Sequence, residues 1–150
     1  MMQLHRDVHM LARCLVIAIT LAGCAAPRIV NIVDAPLKAS RLDVTDDEVK
    51  QAIVRAGEAL GWTMRVETLR KLVGVLTVRD ETASVAIDYN TKMYSIKYRD
   101  STNLGYKWKP ISDYGGTIAS SGTEQGEIQK QYNDWVKKLD AAIKQEIARI

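Results

Sequence analysis

At 150 residues, with 47% apolar and 26% charged side chains, the chain has room for one folded domain and lacks the composition of a disordered polymer. Its net charge of +3 comes from 21 basic and 18 acidic residues that alternate rather than cluster, which excludes the electrostatic footprint of a nucleic-acid binder. Both histidines, His5 and His9, and one of two cysteines, Cys14, fall in the first 23 residues, so residues 24–150 contain no histidine and a single cysteine, Cys24. That excludes Cys/His zinc sites, Ser-His-Asp triads, Cys-His dyads and an internal disulfide beyond the leader.

Arg13 precedes an apolar run from Cys14 to Ala22 that has the length of a signal-peptide core and is too short to span a bilayer as a stable helix. Translation from Met1 or from Met10 serves the leader equally. Leu21-Ala22-Gly23-Cys24 resembles the lipobox of bacterial lipoproteins. The resemblance implies that residues 1–23 are removed and that Cys24 carries acyl chains such as palmitate, which leaves 127 residues with 19 basic and 17 acidic side chains. Each buried methylene contributes roughly 0.8 kcal/mol, so two or three chains hold a protein on a membrane almost permanently. Ala25 stands next in place of an acidic residue, which by the same resemblance points to the outer membrane, facing the periplasm.

Residues 24–44, with Pro27 and Pro36 and no clear period, read as a lipidated tether with room for a short extended segment at its end; 45–150 read as a single α+β domain. Thr45 with Glu48 fits a capping box, and Asp46 and Asp47 place negative charge where a helix dipole favours it. Val49, Ala52, Ile53, Ala56 and Leu60 form the apolar stripe of that helix, and Gly61 is placed to end it in a left-handed conformation.

The period then changes to two. Trp62, Met64 and Val66 alternate with polar residues; Leu72 to Val78 is a second run, with Gly74 marking a bulge or a crossing point; Ala83, Val85, Ile87 and Tyr89 form one face of a third strand. Tyr94, Ile96 and Tyr98 oppose Ser95, Lys97 and Arg99, the pattern of a strand with a wet outer face. Polar turns at Arg79-Asp80-Glu81-Thr82 and Asn90-Thr91-Lys92 favour an antiparallel meander. Asp100 to Gln125 reads as loop, with an edge strand around Tyr106 to Lys109 stopped by Pro110. Ile128, Tyr132, Trp135, Val136, Leu139, Ala142, Ile143 and Ile147 share one face of a last helix, on which Tyr132 and Trp135 read as core in preference to a ligand-binding role. The expected fold is α+β: helix, antiparallel meander of three to four strands, C-terminal helix, with both helices on one face of the sheet.

The lipobox, Gly61-Trp62, Tyr94-Ser95-Ile96-Lys97-Tyr98 leading to Asp100-Ser101 and Asn103-Leu104, and Tyr132-Asn133-Asp134-Trp135-Val136 together resemble a set of small proteobacterial lipoproteins of unknown function. The resemblance implies a fold and an address and carries no activity.

Catalytic constellations are scarce. Ser95 and Lys97 share a strand face that reads as exposed, where lysine keeps its ordinary pKa and is no base. Asp88, Asp100 and Asp113 fall at or beside turns, and no cluster of metal ligands or Gly-rich phosphate loop is present. The aromatic loop Asn103, Tyr106, Trp108 and Tyr114, interleaved with Lys107, Lys109 and Asp113, has two readings: rings that cover the open end of the sheet, or a surface for glycan or peptide. The expected function is therefore a non-enzymatic interaction or accessory module of the cell envelope, without cofactor or metal beyond the lipid on Cys24, meeting the membrane through its acyl chains and an envelope protein or glycan through its surface. The alternative is a glycan- or peptidoglycan-associated binder using loop 103–114. An exposed strand edge leaves a homo-oligomer open.

Overall fold

The computed structural model describes residues 26–108 and 126–150. It is α+β, with two helices and a five-stranded antiparallel sheet. The elements of the sheet and helices are β1 (Ile32–Pro36), α1 (Asp46–Ala59), β2 (Thr63–Thr68), β3 (Lys71–Val78), β4 (Glu81–Tyr89), β5 (Met93–Thr102) and α2 (Lys130–Ile147), and a separate two-stranded ribbon pairs β6 (Lys107–Trp108) with β7 (Gly126–Glu127). Strands β2 to β5 form a meander, and β1 adds to its far edge in the order β1-β5-β4-β3-β2.

α1 starts where local chemistry places it. The Thr45 side chain accepts from the Glu48 amide at 3.3 Å and the Glu48 carboxylate accepts from the Thr45 amide at 2.9 Å, a complete capping box that holds the Glu48 carboxyl below its usual value. Gly61, at φ +83°, turns the chain out of the helix and delivers Trp62 to the core at 3% exposure.

The register shows which side chains share a face. Leu72, Ile87 and Ile96 lie opposite one another, as do Gly74, Val85 and Tyr98; all but Tyr98 are fully enclosed or nearly so. These join Val49, Ile53, Ala56, Val136, Leu139 and Ile143 of the two helices in one apolar core. Gly74 is not a bulge, since pairing runs through it to both neighbours. It is a crossing point: a Cβ there would lie 3.1 Å from Met64 Sδ and 3.3 Å from both Trp62 Cε3 and Val85 Cγ2.

Four expectations are corrected. The sheet has five strands rather than three to four, because part of the segment read as tether is a strand: Ile32 pairs with Ile96 and Ala35 with Tyr94 across a bulge. The Arg79–Asp80 turn is shorter than the four polar residues assigned to it, since Val78 already pairs with Glu81 and Arg79 takes φ +58°. Ser95 is not on a wet surface; β1 covers it to 5% exposure. Strand β5 also runs on to Thr102, past the Arg99 where its alternation fades.

Candidate functional site

The residues expected to carry function are distributed as follows. Cys24 and Tyr114 lie outside the described residues, as do Lys109 and Asp113. Asn103, Tyr106 and Trp108 lie where the chain leaves β5, and each is held differently.

Asn103 adopts φ +59° and donates from Nδ2 to the Asp80 carbonyl at 2.8 Å, tying the end of β5 to the β3–β4 turn. The next residue, Leu104, is fully buried, and its carbonyl accepts from the Gln129 amide ahead of α2. Tyr106 then stacks on Tyr98 with centroids 4.9 Å apart and planes at 19°, and Tyr98 meets Tyr132 edge-on at 5.5 Å. Gly126 makes room for this stack, since a Cβ there would come within 2.6 Å of Tyr106 Cε2. Asn103 and Tyr106 thus each have a partner at the open end of the sheet while remaining exposed, and Trp108 is 67% exposed.

The same edge receives the N-terminal end of the described chain. The Pro27 carbonyl accepts from the Ile128 amide at 3.0 Å, the Ile29 amide donates to the Gly126 carbonyl at 2.9 Å, and Arg28 bridges Glu127, which in turn pairs with Lys107. Residues 27–29, 126–128 and 106–108 are therefore three adjacent extended segments. Asn133 fastens the first of them to α2: Oδ1 accepts from the Val30 amide at 2.9 Å and Nδ2 donates to the Arg28 carbonyl at 2.7 Å.

On the opposite side of the sheet the charges are paired. Asp88, near the end of β4 beside the Asn90 turn and opposite Ser95, sits 3.7 Å from Lys71 and 3.6 Å from Lys97. Arg99 pairs with Glu67. The Ser95 hydroxyl donates to the Asp34 carboxylate at 3.2 Å and accepts from the Asp34 amide at 2.9 Å. Those bonds compensate the left-handed φ of +50° at Asp34. Ser95 and Lys97 thus face different partners, Asp34 and Asp88, and do not form a nucleophile–base pair. An open cleft of about 310 Å³ lies over Asp34, Ser95 and Asp88.

The titratable group most displaced from its ordinary value is internal. Tyr94, 1% exposed, donates to Asp140 Oδ1 at 2.6 Å, while Lys144 donates to Asp140 Oδ2 at 2.6 Å. Burial first, and the Asp140 hydrogen bond second, push the Tyr94 hydroxyl far above the usual tyrosine value. It stays a neutral donor at any physiological pH. Among the described residues no group of three His, Cys, Asp or Glu is placed to hold a metal, and no helix is long and apolar enough to cross a membrane.

Sequence reasoning missed Asn133 and Asn31. Asn31 Oδ1 accepts from the Tyr98 amide at 2.8 Å beside the irregular start of β1. The available signal at Asn133 was a short polar side chain beside the apolar stripe of α2, between Tyr132 and Val136. Compared with known proteins, the chain matches no family model, no curated sequence and no solved structure.

Proposed function

We propose that the protein is a lipid-anchored module of the bacterial cell envelope, held by acyl chains on Cys24 to the periplasmic side of the outer membrane, that acts by interaction rather than by catalysis. The observation that carries this reading is Leu21-Ala22-Gly23-Cys24 closing a basic-flanked apolar leader. Its support from the fold is that the carboxylates, lysines and hydroxyl around Ser95 are engaged with one another, as Asp34 with Ser95 and Asp88 with Lys71 and Lys97. With both helices taken on one face of the sheet, the opposite face, bearing Glu67, Lys71, Asp88, Lys97 and Arg99, is left to meet an envelope partner. Such a mixed-charge surface contributes more to the choice and orientation of a partner than to raw affinity.

Growth of an expressing bacterium on labelled palmitate tests the anchor. The wild-type chain is expected to take up label and to lose residues 1–23, and Cys24→Ala to do neither. An unlabelled wild-type chain with its leader attached overturns the reading.

A further inference from the structure

Each end of the sheet leaves a strand with one side unpaired among the described residues, and the two edges are finished differently. β1 is blunted: its five residues include Pro36, pair across a bulge and hold Asp34 at φ +50°. β2 contains no Pro, Gly or Lys, and every residue of it but Met64 is exposed. Its outward row of N–H and C=O groups is a template for another strand. The register shift between Val66 and Thr68 lies at the turn end of β2 and leaves Thr63 to Val66 regularly paired with β3.

The side chains of β2 select a copy of the same strand. Antiparallel pairing of two β2 strands with Val66 opposite Val66 sets Arg65 of each copy opposite Glu67 of the other, and Met64 opposite Thr68. Sliding the pair to centre on Arg65 or on Glu67 brings like charges face to face instead, which destabilises a cross-strand pair. Arg65 forms no ion pair among the described residues. Glu67 gives Oε1 to Arg99 and keeps Oε2 for a second guanidinium. Arg65 and Glu67 border one open hollow with Val73 and Arg99, so both charges stand on the charged face of the sheet. Val66, 62% exposed, gains apolar cover from its own copy.

We propose that β2 pairs antiparallel with β2 of a second copy of this chain about a two-fold axis at Val66, joining two five-stranded sheets into one with their charged faces side by side. An edge of six residues buries less than the ~1,200–2,000 Å² of a standard interface, so the contact is weak and exchanging rather than obligate. The pairing goes beyond the lipid-anchored reading and does not require it. Two joined copies present the surface of Lys71, Asp88 and Lys97 twice, which strengthens binding to any partner that is itself repeated.

Disulfide trapping in the purified full chain reads the register. Val66→Cys puts two thiols on directly opposed positions, with Cα atoms ~4.5–5.5 Å apart and within disulfide reach, whereas two Arg65→Cys positions lie about 8 Å apart in the same pairing and beyond it. Under mild oxidation Val66→Cys is expected to form a covalent dimer, Arg65→Cys to form none above background, and Arg65→Cys mixed with Glu67→Cys to form one again. The wild-type chain oxidised in parallel gives the background from any other thiol, which keeps failure of the anchor at Cys24 separate from failure of the pairing. Added to Val66→Cys, either Arg65→Glu or Glu67→Arg is expected to slow trapping roughly tenfold. An equimolar mixture of those two chains is expected to restore it as a heterodimer recognised by mass, since each cross-strand pair is then again of opposite charge; restoration also shows both chains to be folded. Equal trapping of Val66→Cys and Arg65→Cys, as random collision gives, or trapping of neither, overturns the proposal. Trapping of Val66→Cys in intact cells on a different protein and never on a second copy overturns it in favour of an edge that takes a heterologous strand.

Discussion

Asn133 is 4% exposed on a helix face made otherwise of Tyr132, Val136 and Leu139, and both halves of its amide are used on backbone that precedes it by more than a hundred residues. Replacing it by Ala removes two hydrogen bonds and leaves the Val30 amide and the Arg28 carbonyl without them, which costs about 2–3 kcal/mol in total. The urea midpoint of Asn133→Ala is expected to fall accordingly with an unchanged slope, and Asn133→Asp to be no better, because it sets a carboxylate oxygen against the Arg28 carbonyl. Tyr94 supplies a pH-dependent counterpart. Its native pKa lies above the unfolded value near ~10, so the native state keeps the proton longer. The contribution is therefore fully present below pH ~10 and is lost as pH rises through the native value. Tyr94→Phe is expected to lower stability by about 2 kcal/mol at neutral pH, the scale of a hydrogen bond to a charged group. In denaturation series the gap between the two proteins should hold constant up to pH ~9 and narrow above ~10; a gap that widens with alkali would contradict the buried donor. Neither role was legible in sequence. Tyr94 read as core from its alternation, but the Asp140 that meets it lies 46 residues away, and Asn133 stood out only as part of a short motif.

The elements that could be read in advance are those specified by neighbours in sequence. The capping box, the three- and four-residue spacing of Val49 to Leu60 and the left-handed Gly61 are contained within one helix and its ends. Strands β2 to β5 alternate and are joined by short turns, so pairing follows from order. β1 was legible only as room for a short extended segment, because its five residues, two of them Asp34 and Pro36, have only Ala35 buried and pair across a bulge with a strand some sixty residues later. Gly74 is an intermediate case: its absence of a side chain flagged a close approach, while the atoms approaching it became visible only in the sheet. Gly74→Ala ought to favour the strand by propensity, yet its Cβ meets Met64, Trp62 and Val85 at 3.1–3.3 Å. Overpacking decides the sign, at about 1–2 kcal/mol destabilising. Met64→Ala removes one of the three neighbours, so the double variant measured by denaturant should lose less than the sum of the singles. Strict additivity would mean that Met64 moves aside at no cost.

At the scale of the whole molecule, the domain begins earlier than its helical pattern indicates. Arg28 to Val30 are tied to the start of α2 through Asn133, and Ser40 is tied to its end, with its amide donating to the Ile150 carbonyl at 3.1 Å and its hydroxyl to the Ala148 carbonyl at 2.6 Å. The stretch between carries β1, covers Ser95 and encloses Ile29 at 5% and Ala35 at 8% exposure. A chain cut at residue 45, where the first helix is about to start, loses all of this. Burial of one isoleucine contributes about 1.5–3 kcal/mol, and a strand's worth of hydrogen bonds and the partly covered Ile32 add to it, whereas a domain of this size has only about 5–15 kcal/mol in hand. The fragment 45–150 is therefore expected to unfold at a much lower temperature than 26–150, or to lose its cooperative transition, with amides of β5 exchanging freely along the edge that β1 had occupied. The fragment 26–150 retains every described contact and should melt as the full chain does. Equal melting of the two fragments would show residues 26–44 to be the loose tether that their prolines and lack of period imply; unequal melting shows that the fold already holds the chain at Arg28 to Val30, well before the first helix.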